Sequence, residues 1–251
     1  MTDPWMIYGA NGYTGRLCAQ LAKSRGLAPL LAGRNIEQVA PLARELGLEA
    51  RVFDLADPEA VTRGLAGMKA VLHCAGPFSA TAKPMLAGCV VTGTHYLDIT
   101  GEIAVFEDIH GRNAEFETAG IAAIPGVGFD VVPTDCLALH LKQRLPSATH
   151  LTLAFRTQGP AGLPPGTQRT MIEMMPFGNR VRLNGKLETP RRAPVTRQVD
   201  FGKGPVQVTR LTWGMFSLPF TAPAFPTSKT TSFFRKRRVS SWLCSIDCGL
   251  C

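Results

Sequence analysis

"MIYGANGYTGRL", residues 6–17, is the stretch that decides the fold. A short apolar run ends at Tyr8. Glycines follow at positions 9, 12 and 15, spaced G-x-x-G-x-x-G, and a segment rich in helix formers comes next. Each glycine has a separate use in such a loop. One lets the chain turn sharply, a second lets backbone N–H groups approach a pyrophosphate, and a third lets the helix pack close to the strand. The helix start then faces the negative charge with free N–H groups and the positive end of its dipole. Glycine clusters also make plain turns, so the flanking pattern decides between the two. A strand before and a helix after are both present, which is the setting a dinucleotide loop requires.

Working outward, the first 124 residues alternate between apolar runs and amphipathic stretches. "WMIY" (5–8), "APLLAGR" (28–34), "ARVFD" (50–54), "AVLHCAG" (70–76), "THYLDIT" (94–100) and "IAAIPG" (121–126) read as strands. Between them fall helical patterns. The first carries Leu17, Leu21 and Ala22 on one side and ends near Gly26. The second is capped by Asn35 with Gln38 three residues on, and Ile36, Val39 and Leu42 lie inside it. Pro41 within that helix predicts a kink or a short first turn. Asp57-Pro58 starts another helix, a fourth follows Lys83-Pro84, and a fifth spans residues 103–118. Strand and helix alternating at this spacing predict an α/β fold of the Rossmann type, a doubly wound parallel sheet. After about residue 150, "HLTLAFRT" (150–157), "RVRLNGKLE" (180–188) and "VQVTRLTW" (206–213) alternate in polarity like antiparallel strands, and "GTQRTMIEMM" (166–175) fits a helix. That texture predicts a partial α+β domain.

In a doubly wound sheet, ligands bind beyond the carboxyl ends of the strands. The glycine loop, Gly33-Arg34, Asp54 and Ala75-Gly76-Pro77 each close a strand, so four strand ends offer small or polar residues to one ligand. The end of the second strand selects the dinucleotide. An acid there bonds the ribose 2′-OH of NAD and repels a 2′-phosphate. This chain has Gly33, Arg34 and Asn35, and the Arg34 guanidinium can grip a 2′-phosphate with two bonds. NADP is therefore the predicted cofactor. Asp54 either borders the adenine or caps the following turn.

Composition bounds the rest. The 251 residues are 45% hydrophobic, enough for a real core. No early lysines precede an apolar stretch with a small-residue cleavage site, and no window approaches the ~18 apolar residues of a membrane helix. Of seven cysteines, Cys18, Cys74, Cys89 and Cys136 fall in apolar stretches and read as reduced, buried thiols. A cytoplasmic setting follows. The net charge is +8, but residues 215–251 hold Lys229, Arg235, Lys236, Arg237 and Arg238 against Asp247 alone. A nucleic-acid partner would rest almost wholly on that segment, and none is predicted. No Ser-Tyr-x-x-x-Lys arrangement and no metal-ligand spacing occurs in the first 214 residues.

"YGANGYTGRL", "LAGRN", "VLHCAGPF", "GTHYLDITGE" and "IPGVGFDVVPTD" occur in that order. Together they resemble the saccharopine dehydrogenase-like oxidoreductases, and above all the branch that includes trans-acting enoyl reductases of bacterial glycolipid synthesis. The resemblance covers roughly residues 4–214. It implies an NADP-binding Rossmann domain followed by an α+β domain that shapes the substrate site and often mediates homodimerisation. By this resemblance Gly9, Asn11, Gly12, Tyr13, Thr14 and Gly15 form the phosphate loop. Ala75, Gly76 and Pro77 line the pyrophosphate and nicotinamide end. Tyr96, Asp98 and Glu102 stand near the mouth of the cleft, and Asp130 and Asp135 begin the passage into the second domain. Asp98 and Asp130 are the candidate catalytic carboxylates. Both also sit beside turn residues, where Asp commonly binds backbone N–H groups. His73 reads as a core residue, whereas His95 is open to either reading.

Three domains are expected: residues 1–130, 131–214 and 215–251. The last stretch has no clear helical or strand period and holds one acid. It reads as an aberrant or disordered basic tail produced by a frameshift after Gly214. Permissible codons for residues 218–233, read one base over, spell "TFHSTGIPNIEDYF", which resembles the family's continuation. The alternative for this tail is peripheral contact with a membrane surface. Three functions stay in view. One is an NADPH-dependent reductase of a lipid-linked or acyl enoyl group. A second is a saccharopine-type imine reductase, with Arg156, Arg169, Arg180 and Arg182 as candidate carboxylate-binding groups. The third is a non-catalytic NADP-binding regulator.

Overall fold

Six short strands of the first unit align in one direction. They are β1 (Trp5–Tyr8), β2 (Leu30–Gly33), β3 (Ala50–Val52), β4 (Ala70–His73), β5 (His95–Asp98) and β6 (Ala123–Ile124). Their order is β3-β2-β1-β4-β5-β6, parallel throughout. This is the doubly wound sheet the sequence predicts, and its strand order reverses between β1 and β4. The computed structural model describes residues 3–129, 131–156, 165–174, 180–184, 186–189, 196–210, 227–233 and 241–247. The chain divides into two compact units, Met1–Gly128 and Phe129–Cys251.

The two-residue period of the strands sorts the core of the first unit into two layers. Met6, Tyr8, Val71 and Tyr96 share one apolar cluster with α3 (Pro58–Leu65), α4 (Phe78–Thr92), α5 (Ile103–Gly111) and α6 (Asn113–Thr118), through Val61, Leu65, Met85, Leu86, Ile109 and Phe116. Ile7 and Leu31 share the other with α1 (Tyr13–Ser24) and α2 (Ile36–Leu46), through Ala19, Val39, Leu42 and Ala43. Each fully buried large side chain here contributes about 1.5–3 kcal/mol.

The face of α1 differs from its sequence reading. Leu17 and Leu21 are 48% and 52% exposed, while Gly15, Ala19 and Ala22 are buried. The cause is distance. A Cβ on Gly15 would collide with the Gly9 carbonyl and stand 2.8 Å from Ala10 Cα, so the helix lies too close to the loop for large side chains. Small residues face the sheet, and the stripe Tyr13, Leu17 and Leu21 faces out. Likewise Ile36 is exposed, although Val39 and Leu42 are buried as expected. Helix α2 continues through Pro41 to a left-handed Gly47. The helix expected over residues 103–118 is two, separated at Arg112.

Among the described residues the second unit holds α7 (Val132–Arg144), α8 (Pro165–Met174) and seven strands. These are β7 (His150–Arg156), β8 (Val181–Leu183), β9 (Lys186–Glu188), β10 (Thr196–Asp200), β11 (Pro205–Arg210), β12 (Thr227–Phe233) and β13 (Ser241–Asp247). The main path runs β10-β11-β12-β7-β13, with β8 joining β12 to β9. Only β12 and β7 pair in parallel among these strands. Leu151, Leu153, Ala154, Val181 and Val208 are buried in this unit. Cys136, read from sequence as buried, is exposed on α7. Among the described residues no helix is long and apolar enough to cross a membrane.

Candidate functional site

The loop after β1 is held by its own backbone. The N–H groups of Gly9 and Ala10 donate to the Ala32 carbonyl at 2.8 and 3.1 Å, and that of Gly12 donates to the Gly9 carbonyl at 3.0 Å. Gly9 has φ +79°, and a Cβ there would lie 2.8 Å from the Ala75 backbone nitrogen. The loop thus rests against the end of β4, at the switch point. Asn11 Nδ2 donates to Gln38 Oε1 at 2.8 Å and fixes the outer side of the loop to α2. Asn11, Gly12 and Tyr13 are exposed, Thr14 is half-buried, and Gly9 and Gly15 are buried.

Helix α1 begins on this loop with no side-chain cap and no acid in its first turn. Its neighbours are closed. Asn35 Oδ1 accepts the Glu37 N–H at 2.8 Å at the start of α2. Asp57 Oδ1 accepts those of Glu59 and Ala60 at 3.0 Å each at the start of α3. At α4 the Glu102 carboxylate accepts from Phe78 N–H at 2.9 Å and from Ser79 N–H at 2.7 Å. Glu102 is only 5% exposed. So α4 carries an internal anion, whereas the same end of α1 is left without one. The first-turn N–H groups, the dipole and the glycine clearance together suit a phosphate.

At the end of β2, Arg34 is exposed, and Asn35 spends its side-chain oxygen on the α2 cap. Asp54 Oδ1 accepts the Ala56 N–H at 3.0 Å, which is the turn-capping alternative of its two sequence readings. Tyr8, the last residue of β1, lies near these groups. Its hydroxyl donates to the Phe53 carbonyl at 3.0 Å. Burial first, then the Asp54 charge, push its pKa up to about 12, with Arg34 pulling the other way. Ala75 and Pro77 are half-buried and Gly76 is exposed, beyond β4.

Tyr96, Asp98 and Glu102 do not line a mouth. They form a buried polar network beneath the strand ends. Asp98 Oδ2 accepts the Tyr96 hydroxyl at 2.7 Å, and Oδ1 accepts the N–H groups of Thr100 and Gly126 at 2.9 and 2.8 Å. Burial raises the Asp98 pKa, and the two backbone bonds and the Tyr96 bond oppose that rise. His73 is fully buried among Tyr8, Phe78 and Tyr96. Thr81 Oγ1 donates to the Ala75 carbonyl at 2.7 Å, so it accepts from His73 Nε2 at 3.0 Å. That assigns the proton to Nε2 and leaves buried Nδ1 without a partner. Burial lowers the His73 pKa to about 3. His95 Nδ1 accepts the Ala122 N–H at 3.0 Å and ties β5 toward β6. Asp130 lies outside the described residues. Asp135, in the first turn of α7, has a buried Oδ1 without a partner, and burial raises its pKa to about 7.

The role of Glu102 is the main feature the sequence did not give up. It caps a helix 24 residues upstream in the chain, and no local pattern links the two.

Residues 5–124 match the family model described as the saccharopine dehydrogenase NADP binding domain. A trans-acting enoyl reductase of Mycobacterium leprae is 33% identical over 150 residues, covering 56% of this chain and 35% of the relative. A trans-acting enoyl reductase of Mycobacterium tuberculosis is 32% identical over 149 residues, covering 55% and 35%. The chain thus spans about a third of the length of these relatives. Among solved structures, the apo saccharopine dehydrogenase (L-Glu forming) of Saccharomyces cerevisiae aligns with a TM-score of 0.67 at 13% identity, covering 92% of this chain and 54% of that one. That likeness concerns the fold.

Proposed function

We propose, on the match of residues 5–124 to the saccharopine dehydrogenase NADP binding domain, that the chain is an NADPH-dependent oxidoreductase. The observation that carries the reading is the uncapped start of α1 on a glycine loop at the switch point, in contrast to α2, α3 and α4, whose first-turn N–H groups bond side-chain oxygens of the chain itself. The loop residues Gly9, Asn11, Gly12, Tyr13, Thr14 and Gly15 hold the pyrophosphate on backbone N–H groups. Arg34 pairs with the 2′-phosphate, and Ala75-Gly76-Pro77 borders the nicotinamide end. NADPH supplies a hydride when bound, so the chain's own task is to orient it and to manage a proton.

Asp98 serves that task as a positioning residue, since its oxygens hold Tyr96, Thr100 and Gly126. Burial raises the Asp135 pKa to about 7, the range of a general acid at neutral pH. The substrate class is an enoyl group on an acyl or lipid-linked chain, supported by the names of the mycobacterial relatives. The out-of-frame reading of residues 215–251 is a proposal of the same kind. The coding DNA decides it, and the expected result is a one-base change near codon 215 that restores the family-like continuation.

Fluorescence titration with NADPH and NADH tests the cofactor. Tighter binding of NADPH is expected, and tighter binding of NADH overturns the Arg34 assignment. NADPH oxidation with enoyl thioesters tests the reaction, and turnover with oxo-acid and amine pairs instead would favour imine reduction.

A further inference from the structure

Two cysteines meet under the phosphate loop. Cys74 directly follows β4, and its N–H donates to the Tyr8 carbonyl at 2.8 Å, which continues the strand pairing by one residue. The two-residue alternation then fixes its face. Val71 and His73 point to the α3–α4 side, so Leu72 and Cys74 point to the side of α1 and α2. On α1, Gly15, Ala19 and Ala22 form the stripe against the sheet, and Cys18 lies one residue before Ala19 on that stripe. Both thiols pack on the cluster of Ile7, Ala10, Ala19 and Leu31, near enough for each to shift the ionisation of the other.

We propose that Cys18 and Cys74 are a redox-active pair that a hydroperoxide joins in a disulfide, and that the bridge weakens cofactor binding by displacing the start of α1. The second half rests on the cofactor reading above, whereas the first does not.

The chemistry divides the roles. The neighbouring Cys74 thiol lowers the Cys18 pKa to about 7, which favours its thiolate. The same proximity, with burial, raises the Cys74 pKa. Cys18 is half-buried, so a small oxidant reaches it. Its thiolate attacks one peroxide oxygen, and the O–O bond breaks. A sulfenic acid forms, and the departing alkoxide or hydroxide takes a proton. Cys74 then attacks the sulfenic sulfur as its proton passes to the leaving oxygen. The S–O bond breaks, water leaves and the disulfide forms. Two thiols lose two electrons and two protons in total, and the hydroperoxide becomes an alcohol, or water, plus water. Cys89 does not compete: it is fully buried, and burial pushes its pKa up to about 12.

The consequence for α1 follows from its tight seat. The two sulfurs, unbonded in the reduced protein, must close to about 2.05 Å to bond. Cys18 stands one helical turn beyond Gly15, which already touches the Gly9 carbonyl and has no room to follow. The bridge therefore shifts the first turn, whose N–H groups face the phosphate.

The test uses the full chain, fully reduced and then treated with hydrogen peroxide. Peptide mapping by mass spectrometry should find the Cys18 and Cys74 peptides joined and lighter by two hydrogens, and dithiothreitol should part them. In Cys74→Ser the link should vanish, leaving a Cys18 sulfenic acid that dimedone traps. A link from Cys18 to Cys89 or Cys136 instead, or no link in wild type, overturns the pair. NADPH affinity should fall roughly fivefold or more on oxidation and return on reduction, a coupling of ordinary size. Cys18→Ser should bind NADPH like reduced wild type and ignore peroxide. A disulfide that leaves NADPH affinity unchanged overturns the coupling. Reduced protein that binds no NADPH defeats the cofactor reading while the mass measurement still judges the pair.

Discussion

Helices α1 and α4 start at the same end of one sheet, after the neighbouring strands β1 and β4. Each presents its first-turn N–H groups and the positive end of its dipole there. The fold treats them in opposite ways. At α4 the Glu102 carboxylate bonds Phe78 and Ser79, so the chain supplies the anion itself. At α1 no side chain caps the first turn, and glycines keep the approach open. The two ends make the same electrostatic demand. What distinguishes a ligand site from a structural junction is whether the chain has already met that demand.

The largest effect should come from closing the open end. Gly15→Ala places a Cβ against backbone, with Ala10 Cα at 2.8 Å, and neither partner is a yielding side-chain tip. NADPH affinity should fall by roughly a hundredfold or more, ~2.7 kcal/mol. Gly111→Ala is the control, since a Cβ there meets nothing within 4 Å. It should leave affinity unchanged and be neutral or slightly stabilising. Unaltered NADPH titration in Gly15→Ala would mean the phosphate does not sit on α1.

Opening the closed end should cost stability instead. Glu102→Gln sets an amide NH2 against the N–H of Phe78 or Ser79 in a buried site, a loss of about 2 kcal/mol. Thermal or urea melting should show it, with NADPH affinity nearly unchanged. The reverse outcome, a large loss of affinity at constant stability, would make α4 the phosphate-binding end.

This contrast was only half legible in the sequence. The strand, the glycine spacing and the local caps Asn35 and Asp57 can all be read because each acts within a few residues. The small-residue face of α1 is not legible, because apolar period alone favours Leu17 and Leu21. Only the approach of the helix to Gly9 explains why Ala19 and Ala22 are inside. The family resemblance sets Glu102 and Asp98 near a cleft mouth, whereas both are buried. Their bonds to Phe78, Ser79 and Gly126 span 23 to 28 residues and exist only once the sheet has formed. In the second unit β10 is not legible, since Thr196–Asp200 shows no apolar alternation, and neither are α7, β12 and β13, the last two lying in the stretch that shows no strand period.

Arg34 sharpens the comparison beyond the helix ends. It is exposed, so its contribution should be modest. Arg34→Ala should weaken NADPH about tenfold, ~1.4 kcal/mol, and leave NADH unchanged. Equal losses for both cofactors would assign Arg34 to the shared part of the dinucleotide.

The smallest effect concerns how dry the α4 junction is. His73 ends β4 and donates to Thr81 in the first turn of α4. Burial holds its pKa near 3, against 6.5 for an ordinary histidine. The folded protein therefore keeps His73 neutral, while the unfolded chain takes up a proton below pH 6.5. Stability from this residue is whole above pH 6.5 and is lost as pH falls toward 3, with a slope of at most ~1.4 kcal/mol per pH unit. His73→Phe keeps the aromatic contacts and removes the proton. Between pH 6.5 and 5.5 its stability should fall by about 1 kcal/mol less than that of wild type. Urea melts at the two pH values measure this, and any packing cost of phenylalanine cancels because it is the same at both. Equal slopes would mean that His73 takes a proton in the folded state. Water would then reach the α4 end, and the closed side of the comparison would be open after all.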